Sequence, residues 1–123
     1  MNSIKAIAAG LIALAALLLV SAPAANIGVY PDTCNNKEKG CTLITINGVI
    51  QPDDGEKFVQ ALQSFAVSRA SVVLNSPGGE ILAALKIGRE IKKRGFYTNV
   101  RSNDICASAC AMIWLAGAKR FVD

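Results

Sequence analysis

Histidine is absent from this 123-residue chain. That removes the side chain that most often accepts a proton near neutral pH, and with it any Ser–His pair built from these residues alone. It also removes the nitrogen ligand that zinc sites commonly use. Cysteine is sparse, at four residues, and none of them stands in a Cys-x-x-Cys spacing. Neither a structural zinc site nor a thioredoxin-type redox pair is therefore indicated. Charge bias is weak too. With Lys5 set aside in an expected leader, 12 basic and 9 acidic residues remain, a net +3 that is too small to argue for nucleic acid. Lys86, Arg89, Lys92, Lys93 and Arg94 do cluster, but at the end of an expected helix, where the macrodipole favours cations. No repeat or low-complexity tract follows the leader, and no cofactor or metal is expected.

What the chain does have begins at its N-terminus. Lys5 supplies a positive start, Ala6 to Val20 form an apolar run, and Ser21-Ala22-Pro23-Ala24 ends in a small-x-small pattern. The run is short for a membrane span, which needs roughly 20 residues. Residues 1–24 are expected to be a secretory signal cleaved after Ala24, with an uncleaved anchor as the plain alternative. The protein is then periplasmic or secreted, and it meets a membrane only through an uncleaved leader. In an oxidising compartment Cys34, Cys41, Cys106 and Cys110 become disulfide candidates with three connectivities open. Local pairing is expected. Cys34–Cys41 would close a polar loop that can bury little by itself, and Cys106–Cys110 has an i, i+4 spacing of about 6 Å on a helix, near the upper end of disulfide geometry.

The remaining 99 or so residues suit one modest domain. Residues 25–41 read as a polar, extended or looped lead-in. From Thr42 to Ile50 the chain is β-branched and alternating, with Leu43 on one face and Ile44 and Ile46 on the other, and Gly48 marks a bend or close approach. Phe58, Leu62 and Phe65 define one face of a helix over about 55–67. Ser71 to Asn75 suits a buried parallel strand. Ile81, Leu85, Gly88 and Ile91, with Ala84 and Ile87, predict a helix over 80–94 closed by Gly95. A strand over 96–100, a helix over 108–118 buried on most sides, and a strand from Lys119 complete the pattern. Strand and helix alternate throughout 42–123, which argues for parallel βα units with right-handed crossovers, with sites at the strand C-termini.

Two segments fall there. In Ser76-Pro77-Gly78-Gly79 the proline ends the strand, and two glycines let a ligand approach backbone N–H groups at a helix start. An ordinary strand-to-helix turn is the plain alternative. In Cys106-Ala107-Ser108-Ala109-Cys110 a lone hydroxyl sits among small residues at another helix start, where serine could equally be an N-cap. Together they have the form of an oxyanion hole and a nucleophile.

These two segments, preceded by Ile44-Thr45-Ile46-Asn47-Gly48-Val49-Ile50 and followed by Leu115-Ala116-Gly117, resemble in order and spacing the Clp protease proteolytic subunit and the wider ClpP/crotonase superfamily, above all its exported, periplasmic ClpP-like members. The resemblance runs from about Leu43 to Val122. It implies a spiral of parallel βα (ββα) units, here incomplete at the C-terminus, and hydrolysis of a peptide or protein substrate. It makes Ser108 the nucleophile, the amides of Gly79 and Ala109 the oxyanion donors, and Gly78 the residue that shapes the turn. The family's histidine would follow the nucleophile by about two dozen residues and its aspartate later still, beyond Asp123, which is not itself promoted to the triad.

Three functions follow from that deficit. The chain is part of a ClpP-like serine peptidase and inactive as it stands; or Lys86 or Lys119 serves as base, as in signal peptide peptidase A; or it is a non-catalytic exported binding or assembly module. An acyl-coenzyme A enzyme of the crotonase type is disfavoured by export. A sheet cut after its third helix would also leave a strand edge and the Ala111–Leu115 face uncovered, which predicts aggregation or homo-oligomerisation.

Overall fold

A computed structural model describes residues 22–34 and 40–123. The apolar run of the expected leader and the tip of the Cys34–Cys41 loop lie outside the described residues. The elements are β1 (Asn26–Tyr30), β2 (Cys41–Asn47), α1 (Asp54–Ser64), β3 (Arg69–Asn75), α2 (Ile81–Arg94), β4 (Tyr97–Val100), α3 (Ala109–Leu115) and β5 (Arg120–Val122). They form a mixed α/β structure around one five-stranded sheet of order β1-β2-β3-β4-β5. Strands β2 to β5 are parallel, and β1 lies antiparallel on β2. Each new strand is added on the same side of the last. There is thus no reversal of strand order, and no switch-point crevice of the kind open α/β sheets use.

The register explains the core. Ile44 pairs with Val72, and Val72 with Thr98; Ile46 pairs with Leu74. Even-numbered residues of β2, β3 and β4 therefore share one face, and all of these are buried. Helix residues Phe58, Leu62, Ala84, Ile87, Ile91 and Ile113 close over that face. The other face of β2 carries Leu43 and Thr45, which are half-buried. Consecutive helices pack on one another, α1 on α2 and α2 on α3. Gly88 lies at the second of these contacts, where a Cβ would stand 3.4 Å from that of Ala116, an ordinary packing distance.

Several expectations change in detail. Asn26–Tyr30, read as part of a polar lead-in, forms β1, and Ile27 and Val29 pack against the core. Helix α1 stops at Ser64 because Ala66 turns to positive φ, so Phe65 swings out and is about half exposed. Ile81 likewise leaves the buried stripe of α2, lying in its first turn at 56% exposure. Glu80, expected inside α2, caps it, its carboxylate accepting from the Ala83 N–H at 2.6 Å. Gly95 closes the helix in the left-handed conformation, as its position suggested. Helix α3 has only seven residues and buries Ala109, Cys110 and Ile113 alone, rather than most of its surface. Its C-terminal end is tied down instead by Thr98, whose hydroxyl donates to the Trp114 carbonyl at 2.8 Å.

Both disulfides are local. Cys34–Cys41 and Cys106–Cys110 have Cα separations of 5.4 and 5.1 Å. The second pair is not a helical i, i+4 pair, because Cys106 precedes α3 and lies in an extended segment. Two disulfides fit an oxidising compartment. Among the described residues no helix is long and apolar enough to cross a membrane.

Candidate functional site

The two glycine- and serine-bearing segments, thirty residues apart in sequence, meet beyond the C-terminal ends of β3 and β4. Backbone hydrogen bonds hold them there. Past the end of β3, Ser76 makes a parallel bridge with Cys106. Its N–H donates to the Ile105 carbonyl at 2.7 Å, and its carbonyl accepts from the Ala107 N–H at 3.1 Å. The side chain of Asn75 adds a third tie, its Oδ1 accepting from the Ile105 N–H at 3.1 Å. A short extension of the sheet thus carries the chain up to Ser108.

On the opposite side, the glycine turn is clamped by Ile50. The Ile50 N–H donates to the Gly78 carbonyl at 2.9 Å, and the Ile50 carbonyl accepts from Glu80 N–H at 2.9 Å. Gly79 lies between these bonds at φ 142°, and a Cβ on it would overlap the Ile50 backbone. Gly78, at φ 109°, faces the other segment: a Cβ there would lie 2.9 Å from both the Ala107 carbonyl oxygen and Ser108 Cβ, and 3.2 Å from the Ala109 nitrogen. Only glycine allows this approach. The buried hydroxyl of Ser76 accepts from the Gly78 N–H at 3.1 Å, which fixes the turn and occupies that amide.

Two amides are left over. Among the described residues, no acceptor is bonded to the N–H of Gly79 or to that of Ala109. The Ser108 hydroxyl has no partner either, and the residue is exposed. Ser108 occupies the N-cap position of α3, but its side chain makes no cap bond. Its backbone stands at φ 54°, ψ −125°, a conformation that L-residues rarely adopt and that costs of order 1–3 kcal/mol. The N-cap alternative is therefore set aside. A serine serving only as a cap would have extended backbone and a bonded hydroxyl. The two segments thus leave one exposed hydroxyl and two amide donors without partners close to one another in the fold.

Ser108, Gly78, Gly79 and Ala109 are thus brought together, and Cys106 and Cys110 flank them. Cys34 and Cys41 are elsewhere, beside the N-terminal end of β2. The two lysines are elsewhere as well. Lys86 is paired with Glu56, and its stem lies along Gly55, on the α1 side of α2. Lys119 sits 5.4 Å from the Tyr97 ring centroid, at the N-terminal ends of β4 and β5. The carbonyl of Lys119 accepts from Thr98 there. Asp123 closes β5 at the site's end of the sheet, its N–H donating to the Val100 carbonyl at 3.1 Å. Ile50, Asn75 and the Ser76 hydroxyl were not singled out from the sequence. Only the Asn-Ser pair ahead of proline carried a signal, as residues prone to side-chain-to-backbone turns. Nothing local marks Ile50 as the clamp of the glycine turn.

No protein-family model, curated protein or solved structure matches this chain. Among the described residues no cluster of cysteine or carboxylate side chains is suited to hold a metal ion.

Proposed function

We propose that this chain carries the nucleophile and oxyanion hole of an exported serine peptidase of the ClpP/crotonase-like class. Ser108 attacks the carbonyl of a peptide or protein substrate. The amides of Gly79 and Ala109 hold the tetrahedral oxyanion, and the sheet belongs to a spiral of ββα units. The observation that carries this reading is the combination at Ser108: a strained backbone, a hydroxyl without a partner, and two amides without acceptors. Strain of this kind persists only where surrounding structure enforces it, and Ser108 stands between two anchors, the Ser76–Cys106 bridge upstream and the buried Cys110 downstream. The same-side addition of strands also supports a spiral, and the two disulfides support export.

Among the described residues no side chain stands ready as the proton acceptor for Ser108. The chain has no histidine, and Lys86 and Lys119 are held elsewhere. On this reading the base comes from beyond the described residues, and the described part alone is expected not to turn over peptides. The same deficit favours a second reading, a non-catalytic exported binding module, in which the turn is an inherited shape.

A fluorophosphonate probe separates the two. Phosphonylated serines are mapped by mass spectrometry, with exposed Ser102 as the internal reference. Even one oxyanion donor is worth about 10²–10³ in rate, so Ser108 should label at least about tenfold faster than Ser102. Without a base the hydroxyl must lose its proton to solvent hydroxide, so the rate should climb about tenfold per pH unit, with no plateau near neutrality. Labelling at Ser108 no faster than at Ser102 would leave the binding module standing.

A further inference from the structure

The Ser108 backbone is held away from its preferred conformation by something. The upstream side is anchored by the Ser76–Cys106 bridge, and the downstream side by Cys110, which is fully buried in the core. Between those anchors Ser108 has a ready way to relax. With ordinary extended backbone it would become a normal N-cap, its hydroxyl accepting from the N–H of Cys110 or Ala111. Those amides now donate to the Ala107 and Ser108 carbonyls, at 3.1 and 2.9 Å. Helix α3, at seven residues, is too short to impose a backbone conformation on its own start. The one covalent constraint across the segment is the Cys106–Cys110 disulfide, which spans Ser108 with a Cα separation of 5.1 Å.

We propose that Cys106 and Cys110 are positioning residues: their disulfide holds Ser108 in its strained, unbonded conformation, and opening it switches the site off. This rests on the reading of Ser108 as the nucleophile. Cys106 is the half-buried partner of the fully buried Cys110, and it lines a cavity of about 310 Å³ with Val100, Ala111, Trp114 and Val122, large enough for a small dithiol. A thiolate of that dithiol attacks the Cys106 sulfur, the Sγ–Sγ bond breaks, and Cys110 leaves as a thiolate that takes up a proton. The second thiol of the reductant then attacks the mixed disulfide and releases Cys106. In total the protein disulfide gains two electrons and two protons, and the dithiol becomes a disulfide. Freed of the ring, Ser108 returns to negative φ, and its hydroxyl is consumed as a helix cap.

The test uses the full chain with dithiothreitol as the dithiol, the opening of each disulfide being followed by alkylation and mass spectrometry. Two readouts are taken: the Ser108-to-Ser102 labelling ratio, and the three-bond HN–Hα coupling with carbon chemical shifts of Ser108, which report the sign of φ. Opening Cys106–Cys110 is expected to lower the ratio about tenfold or more, turn φ negative, and reverse on reoxidation while the chemical shifts of Ile87 and Ile91 stay in place. A Cys106→Ala/Cys110→Ala variant should show the reduced behaviour under both conditions, and so excludes an effect of Cys34–Cys41. If Ser108 keeps positive φ with the disulfide open, or the ratio does not change, the proposal is wrong. If Ser108 labels no faster than Ser102 even when oxidised, the peptidase reading fails, and the coupling still decides whether the disulfide sets the backbone.

Discussion

Replacing Gly78 with alanine tests the meeting of the two segments directly, because Gly95 provides a matched control. Both glycines have positive φ, 109° and 69°. At Gly95 an added Cβ meets nothing within 4 Å. Gly95→Ala should therefore cost only the left-handed penalty of an L-residue, about 1 kcal/mol. At Gly78 the backbone penalty is about 1–3 kcal/mol. The new methyl would also sit 2.9 Å from both the Ala107 carbonyl oxygen and Ser108 Cβ. Neither can retreat freely, since Ala107 is hydrogen-bonded to Ser76 and Ser108 lies within the disulfide ring. Forced overlap of this kind costs about another 1–3 kcal/mol. Urea melts followed by Trp114, the single tryptophan, should place Gly78→Ala about 1–5 kcal/mol below Gly95→Ala at unchanged slope. For a domain of this size that is a difference of at least about 4 °C in Tm. Gly78→Ala should also slow phosphonylation of Ser108 by about tenfold, one kcal/mol or so of lost alignment being enough, whereas Gly95→Ala should not. Equal losses of stability in the two variants would refute the close approach, and with it the joint site.

The lysines offer a second test: Lys86→Ala/Lys119→Ala should leave the Ser108-to-Ser102 labelling ratio unchanged, and its collapse in a folded variant would restore a lysine base. Self-association is the third expectation. Leu82, Leu115 and Val122 are 73%, 60% and 67% exposed, and β5 is an open sheet edge. Sedimentation velocity should show concentration-dependent association, and a monodisperse monomer throughout would contradict it.

The parts of this fold that were legible in the sequence are those where a local period and a burial pattern agree. Ile44 and Ile46, Phe58 and Leu62, and Ala84, Ile87 and Ile91 all reach the core as their spacing implies. The failures have a common cause. Phe65 keeps the helical spacing, but Ala66 ends the helix before the period is used. Strand β1 alternates too weakly to declare itself and is stabilised by pairing with β2, a partner more than ten residues away. For the site, glycine and serine chemistry could be read locally, whereas the clamp by Ile50 and the ladder from Ser76 to Ile105 are long-range backbone contacts. Backbone contacts leave almost no trace in side-chain identity. The strain at Ser108 was equally hidden, because serine is as natural at a relaxed N-cap as at a forced one.

On the peptidase reading proposed for Ser108, the parallel sheet also bears on where its proton acceptor would come from. Ser108 lies beyond the C-terminal ends of β3 and β4, whereas Lys119 enters β5 at the opposite end. Four residues of β4 separate those ends, about 13 Å at the usual rise. Lys86 is excluded differently, since it faces α1 and Glu56 while Gly88, two positions on, faces α3. Helix α2 thus stands between Lys86 and the segment that carries Ser108. On that reading, the side with room for a base is the one past the ends of β4 and β5, where Val100, Cys106, Trp114 and Val122 line a cavity. That is also the side of the Cys106–Cys110 bridge. A group completing the site there would pack on the disulfide that positions the serine, so assembly of the base and integrity of the bridge should be felt at the same atom, Ser108 Oγ. An imidazole buffer offers a small surrogate for such a group. It should accelerate phosphonylation of Ser108 in the oxidised protein and lose that effect once the bridge is opened. Equal acceleration at Ser102 would show that imidazole acts on any exposed hydroxyl, and the geometric argument for the open side would then fail.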